Sequence, residues 1–269
     1  MKHPKLLSIA GSDPSGGAGI QADLKTFGAL DAYGMACITT LTAQNTTGVQ
    51  DVHPLPAEFV ERQIDSVFRD IEVDAVKIGL LGSIDICKAV TEVLQKYKPR
   101  YVVLDPVLVA QTGDNLTSDG VLHSMTQDLF PIAILITPNI PEMQALTGIE
   151  PERLKNVIED PETFRAEIEN KMGQSAILLK GGHMEGENCT DYLFDPQGFD
   201  KFTCKRIHTE NTHGTGCTLS SAISVYLAKG EKLSSACRKG KEYVSGILEA
   251  SKNYKIGKGH GPLIHNWRH

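Results

Sequence analysis

At 269 residues the chain is long enough for one large α/β domain or two small ones with a substantial buried core. Lys and Arg number 27 against 33 Asp and Glu, a formal net charge of −6 with no basic cluster, which argues against nucleic acid as a partner. The six cysteines are scattered without a Cys-x-x-Cys pair, and no apolar run approaches a signal segment or a membrane span, so the expectation is a soluble, cytoplasmic protein with reduced thiols.

In chain order, Leu6 to Ala10 is a short apolar run ending at Gly11, and Ile20, Leu24, Phe27 and Leu30 then fall at helical spacing, giving strand, long loop, helix. Met35 to Leu41 predicts a second strand, followed by a polar loop over Thr42 to Gly48 and an extended piece from Val49 to His53. Pro56 opens a helix with Phe59, Val60, Ile64, Val67, Phe68 and Ile71 on its apolar face. Ala75 to Ile78, Tyr101 to Leu104, Ile132 to Ile136 and Ala176 to Leu179 are nearly continuous apolar runs separated by helical stretches such as Ile84 to Tyr97, the pattern of strands buried on both faces. Their alternation with helices predicts right-handed βαβ units and a mainly parallel sheet covered on both sides. Asp191 to Phe194 and Phe202 to Ile207 read as an antiparallel edge hairpin, and two helices, Cys217 to Lys229 and Leu233 to Ser251, close the chain before an irregular tail from Gly257 to His269. Glu150 to Pro161 is the expected excursion from the core, and the absence of a repeat, low-complexity tract or linker predicts a single domain over 1–269.

In an open parallel sheet, ligands sit beyond the carboxyl ends of the strands. Six predicted strand ends carry polar punctuation: Gly11 to Gly19, Thr42 to Asn45, Gly79, Asp105 to Val107, Thr137 to Glu142, and Lys180 to His183. Asn211 to Ala222 adds a loop with Gly214 and Gly216 running into a helix, so unpaired N–H groups form an anion site at the helix start. Cys217 lies at its mouth, where the helix dipole favours thiolate, although a Cys at a helix start is more often a packed small residue than a catalyst. Gly17 to Ala22 fits a dinucleotide fingerprint only formally, since Gly17 follows the strand-end Gly11 by six residues and no acidic residue closes the second strand. A glycine-rich wall against a small substrate is the better reading, with Asp23 either on that wall or serving as a carboxylate favouring the helix dipole. Asn139 and Glu142 suit either a hydrated Mg²⁺ or a capping box, Asp105 is a second carboxylate for the same region, and Lys180 ends a buried strand where it needs an anion such as phosphate. The histidines have no metal-ligand spacing, and His213 with Cys217 is too local for a Cys-His dyad.

Taken together, Ile9 to Asp23, Thr42-Ala-Gln-Asn-Thr46, Lys77-Ile-Gly79, Asp105-Pro-Val107, Thr137-Pro-Asn139 with Glu142, Lys180-Gly-Gly-His183, His213 to Ser221 and Gly261-Pro-Leu263 resemble the ribokinase-like superfamily, and within it the hydroxymethylpyrimidine/phosphomethylpyrimidine kinases of thiamine biosynthesis. The resemblance implies a three-layer α/β/α fold and MgATP-dependent phosphorylation of a pyrimidine hydroxymethyl group, followed by a second transfer onto the monophosphate. It implies that Gly214, Thr215, Gly216 and Cys217 form the anion hole, with Cys217 in place of the aspartate base of sugar-kinase relatives. Gln44 would read the aminopyrimidine edge, with Gly11, Ala18, Asp23, Leu80 and Val107 around the substrate; Leu80 stands where relatives often have Met. Asp105 and Glu142 would hold Mg²⁺ or its waters, Asn139 and Lys180 would lie near the ATP phosphates, and the protein would be a homodimer. Pyridoxal kinase activity of vitamin B6 salvage is the alternative, since some members of the subfamily use the same Cys on that aldehyde.

Overall fold

The computed structural model describes residues 3–108, 117, 120–155, 160–182, 186–196 and 198–267. A nine-stranded sheet runs through it in the order β3-β2-β1-β4-β5-β6-β7-β8-β9. The parallel part is β1 (Lys5–Ser12), β2 (Tyr33–Asn45), β4 (Ala75–Ile78), β5 (Val102–Leu104), β6 (Leu135–Ile136) and β7 (Ala176–Leu179). Antiparallel strands close both edges: β3 (Gly48–Pro54) on β2, and β8 (Asn188–Asp195) with β9 (Gly198–Lys205) on β7.

Two helical layers cover the sheet. On one face, α2 (Ala57–Asp70), α3 (Ile84–Tyr97), α4 (Val121–Ser124), α5 (Ile140–Thr147), α6 (Pro151–Lys155) and α7 (Pro161–Met172) share a core with alternate strand residues such as Ile9, Ile78, Leu104 and Ile177. On the other, α1 (Gly19–Ala29), α8 (Thr215–Ala228) and α9 (Leu233–Ser251) pack on Leu6, Ala75, Val103 and Leu178. The central strands are apolar on both faces because both faces are covered. This is the three-layer α/β/α arrangement expected from the alternation of apolar runs and helices, and no helix among the described residues is long and apolar enough to cross a membrane.

Two expectations change. Thr42 to Asn45 is not a loop: it continues β2 and pairs with β3, from Thr40 opposite Pro54 to Asn45 opposite Gly48. Leu41, Ala43 and Asn45 face solvent there while Thr42 and Gln44 turn inward, so the strand has no apolar period to betray it. Of Ile132 to Ile136 only Leu135 and Ile136 are strand, because Pro131 sits in a 3₁₀ turn over Phe130–Ile132. Within the excursion from Glu150 to Pro161, α6 takes up 151–155, while residues 156–159 lie outside the described residues, as do His183 and Gln197. The tail from Gly257 to Trp267 is irregular, as its glycines suggest.

Candidate active site

The first site loop is built by one carboxylate. Asp13, in the sequence Ser-Asp-Pro-Ser, accepts from the N–H and Oγ of Ser15 at 2.9 and 2.7 Å through Oδ1, a turn that Asp favours before Pro. Its Oδ2 accepts from the N–H groups of Gly17 and Ala18 at 3.1 and 2.8 Å and lies 2.8 Å from His213 Nε2. Burial opposes ionisation of Asp13, but the bonds from His213 and Ser15 outweigh it and hold the carboxyl at about 2. The glycine loop is thereby tied to the segment that precedes α8.

That tie sets two helix starts side by side. Gly214, the N-cap of α8, has φ of +81°, and a side chain on it would overlap the Gly17 carbonyl, so only glycine lets the two loops touch. The N-terminus of α1 begins at Gly19, whose N–H is directed at the Cys217 thiol. Cys217 therefore sits between two sets of unpaired backbone donors. The thiolate expected from the helix dipole is not what this setting favours: burial pushes the thiol up to about 11, and the charge of Lys77 only partly offsets it.

Two lysines flank this point. Lys77 is wholly buried, with Nζ 2.9 Å from Asp23 Oδ2. Asp23 also accepts from Ser8 Oγ at 2.6 Å and from Ser221 Oγ at 2.7 Å. Asp23 therefore lies beneath the site rather than on the substrate wall, and its place in the second turn of α1 also removes it from the dipole position; it is the counter-ion that makes a buried Lys77 tolerable. Burial works against the Lys77 charge, but Asp23 and the other anions nearby raise its pKa above the usual lysine value.

Lys180 Nζ lies 2.8 Å from Asp105 Oδ1 and 3.6 Å from Glu142 Oε2. Thr137 Oγ1 donates to Asp105 Oδ1 at 3.1 Å. Burial opposes ionisation of Asp105, yet Lys180 and Lys77 hold it below the ordinary carboxylate range; for Glu142 burial prevails and the pKa is raised. Asn139 and Glu142 do form the capping box, with Glu142 N donating to Asn139 Oδ1 at 2.8 Å and Asn139 N to Glu142 Oε2 at 2.7 Å. Capping and site duty coincide, because the same box aims Glu142 at Lys180.

A cavity of about 640 Å³ joins these groups. Gly11, Ala18, Gln44, Leu80, Val107, Asp105, Asn139, Glu142, Lys180 and Gly214 to Cys217 all line it; Asp23, expected beside the substrate, does not. Gln44 reaches it from the β2–β3 hairpin, with its Oε1 3.1 Å from Thr42 Oγ1 and its amide nitrogen without a protein partner among the described residues. The hairpin is latched by the tail: Thr46 Oγ1 accepts from the N–H groups of Lys258 and Gly259 at 3.2 Å each, and Gly261 O accepts from His213 N at 3.1 Å. That gives the Gly261-Pro-Leu263 segment its place.

The far end of the cavity was not read from the sequence. Ile207, Leu219, Val244 and Leu248 line it, with Lys241 Nζ 2.8 Å from Asp191 Oδ2 at its edge. Lys77, Asp13 and the His213 contact were also missed. A Lys in the apolar run Ala-Val-Lys-Ile carried the same signal that flagged Lys180, and Asp-Pro-Ser signals a side-chain-capped turn.

The family model described as phosphomethylpyrimidine kinase matches residues 13–264. The hydroxymethylpyrimidine/phosphomethylpyrimidine kinase of Escherichia coli strain K12 is 45% identical over 266 residues, covering 98% of both chains. The thiamine biosynthesis bifunctional protein ThiED of Geobacter sulfurreducens is 45% identical over 262 residues, 97% of this chain; the chain spans only 52% of that longer protein. Among solved structures, the pyridoxal kinase of Staphylococcus aureus in complex with AMP-PCP and pyridoxal superposes with a TM-score of 0.85 at 33% identity, over 100% of this chain and 95% of that one.

Proposed function

This chain belongs to the phosphomethylpyrimidine kinase family, and we propose that it transfers the γ-phosphoryl group of ATP first to 4-amino-5-hydroxymethyl-2-methylpyrimidine and then to the resulting monophosphate. The observation that carries the reading is the meeting, in one cavity, of the Gly214–Cys217 helix start with the Lys180–Asp105–Glu142 cluster, between the polar pocket of Gln44 and the apolar end at Val244 and Leu248. The pyrimidine lies against Gly11, Ala18, Leu80 and Val107, with the Gln44 amide on its amino and ring-nitrogen edge, a donor-acceptor pairing that suits an aminopyrimidine. The nucleotide base occupies the apolar end, and its phosphates run toward Asn139, Lys180 and the N–H groups of Gly214 to Cys217.

Mg²⁺ fits the cluster. It takes one or two carboxylates and fills its shell with water and phosphate, and Asp105 and Glu142 are two inward-facing carboxylates sharing one lysine. When bound there it would neutralise charge on the β- and γ-phosphates. The protein's own part is to position: the helix-start N–H groups and Lys180 stabilise charge on the moving phosphoryl group, and Cys217 stands at the acceptor hydroxyl. A cytoplasmic homodimer is part of the same proposal and rests on the family likeness.

The test is ADP release with MgATP against hydroxymethylpyrimidine, its monophosphate and pyridoxal in parallel, with products identified by mass. Both pyrimidines should turn over, with pyridoxal slower by about a hundredfold, roughly 3 kcal/mol of transition-state discrimination. Faster turnover of pyridoxal than of either pyrimidine would overturn the assignment and remove Gln44 as the selector.

A further inference from the structure

Two cysteines that phosphoryl transfer does not use face each other at the far end of the cavity. Cys189 on β8 is the register partner of Cys204 on β9. Directly opposed residues of an antiparallel pair share a face with Cβ atoms about 4.5–5.5 Å apart, adjoining the separation of about 3.5–4.5 Å found in disulfides. The Cys204 thiol is turned toward its partner strand, with Sγ 3.6 Å from the Cys189 carbonyl oxygen. Lys241 Nζ, held at 2.8 Å by Asp191, is 3.3 Å from Cys189 Sγ. Cys37, Cys87 and Cys237 are buried, whereas Cys189 and Cys204 are partly exposed and line the cavity. Packing alone does not call for two thiols with a cation beside them on a wall that solvent reaches.

We propose that Cys189 and Cys204 are an oxidation site, at which a hydroperoxide closes a cross-strand disulfide in the wall of the cavity. One of the two sulfurs attacks the terminal peroxide oxygen, the O–O bond breaks, and an alcohol, or water from hydrogen peroxide, leaves as that cysteine becomes a sulfenic acid. The other cysteine then attacks that sulfur, the S–O bond breaks, and water leaves as the S–S bond forms. The two sulfurs give up two electrons, the peroxide takes them, and both thiol protons end on the released oxygens. Lys241 Nζ, 3.3 Å from Cys189 Sγ, supplies the positive charge that favours thiolate at this pair.

The experiment uses the reduced full chain and equimolar hydrogen peroxide, followed by intact mass and a non-reducing peptide map. The expected result is a loss of two hydrogens, located to a Cys189–Cys204 linked peptide, reversed by a thiol reductant and abolished in both Cys189→Ser and Cys204→Ser. Oxidation that reaches Cys217 first, or a map without the linked peptide, overturns the proposal, and the wild-type map decides this even where a serine variant does not fold. Saturating ADP should slow closure about tenfold by shielding the wall. That last arm rests on the nucleotide reading above, so closure that ADP does not slow refutes the nucleotide's place at this wall and leaves the dithiol standing.

Discussion

Cys217→Ala separates the two roles open to this thiol. Its pKa of about 11 means that holding thiolate at pH 7 costs about 5 kcal/mol, so the resting enzyme carries a neutral thiol. A neutral hydroxymethyl group benefits from a base, whereas a phosphate monoester is already a nucleophilic anion. If Cys217 takes the hydroxyl proton, kcat/KM for the first transfer rises about tenfold per pH unit between about pH 7 and about pH 9, because the thiolate fraction rises at that rate below the thiol's pKa. The sign follows from the raised value: protonated below it, the sulfur gains basic form only as pH climbs. Alanine should then remove the slope and about 10²- to 10⁴-fold of the first rate, while the second transfer falls less than about tenfold and stays flat with pH. The assay is single-turnover ADP formation with each acceptor across that range. Equal losses in both transfers, with flat profiles in the wild type, would refute the base role and leave Cys217 as part of the wall of the anion hole.

Three further outcomes follow from the contacts around the site. Asp13→Asn removes a carboxyl whose pKa is lowered from 3.8 to about 2 in the fold; that stabilisation, about 1–2 kcal/mol after screening, is whole above about pH 4 and is lost as pH falls toward about 2. Urea melts at about pH 6 and about pH 3 should show the variant losing less stability on acidification than the wild type, and equal losses would contradict the linkage. Asp23→Asn leaves Lys77 buried without its counter-ion, so it should cost about 3–5 kcal/mol and lower Tm on the order of 10 °C, with Asp23→Leu plus Lys77→Met recovering most of the stability but no activity. A calorimetric loss below about 1 kcal/mol would show that the pair is not needed for the fold. Thr46→Val removes the acceptor for two tail N–H groups and should raise KM for the pyrimidine about fivefold while leaving KM for ATP unchanged, with Thr46→Ser restoring it; parallel changes in both would mean that the tail does not act through Gln44.

What could be read in the sequence was whatever repeats a local rule. Buried parallel strands are short apolar runs wherever they occur, so Ala75–Ile78 and Ala176–Leu179 were delimited to the residue, as were the helices Ile84–Tyr97 and Leu233–Ser251. Of the β2–β3 hairpin only the Val49 to His53 arm was read as extended, because the inward residues of the other arm, Thr42 and Gln44, are polar. The site divides the same way. Residues at strand ends and helix starts are marked by position, and they do converge on one cavity. Asp23, Lys77, Ser8 and Ser221 belong together only through contacts spanning up to 198 residues, which no local pattern encodes. The thiol pKa failed as an expectation for a related reason: the helix dipole is visible in sequence, but the burial that overrides it is a property of the packed chain.

The buried charges of the site are paired within the chain in two different ways. Lys77 and Lys180, both largely enclosed, would each cost several kcal/mol if left alone. Asp23 answers the first permanently, since it is sealed from the cavity and held by two serine hydroxyls as well. Asp105 and Glu142 answer the second in a different way: they line the cavity, and they share one ammonium group. A phosphate arriving with its cation can take over both sides of that arrangement, the phosphate oxygens meeting Lys180 while the cation meets the carboxylates, without leaving any buried charge unpaired during the exchange. The raised pKa of Glu142 fits such a role, because a carboxylate only partly compensated by its lysine would gain more from a divalent cation than one already matched. Lys77 is thus held by a partner outside the cavity, whereas Lys180 is held by two carboxylates that line it.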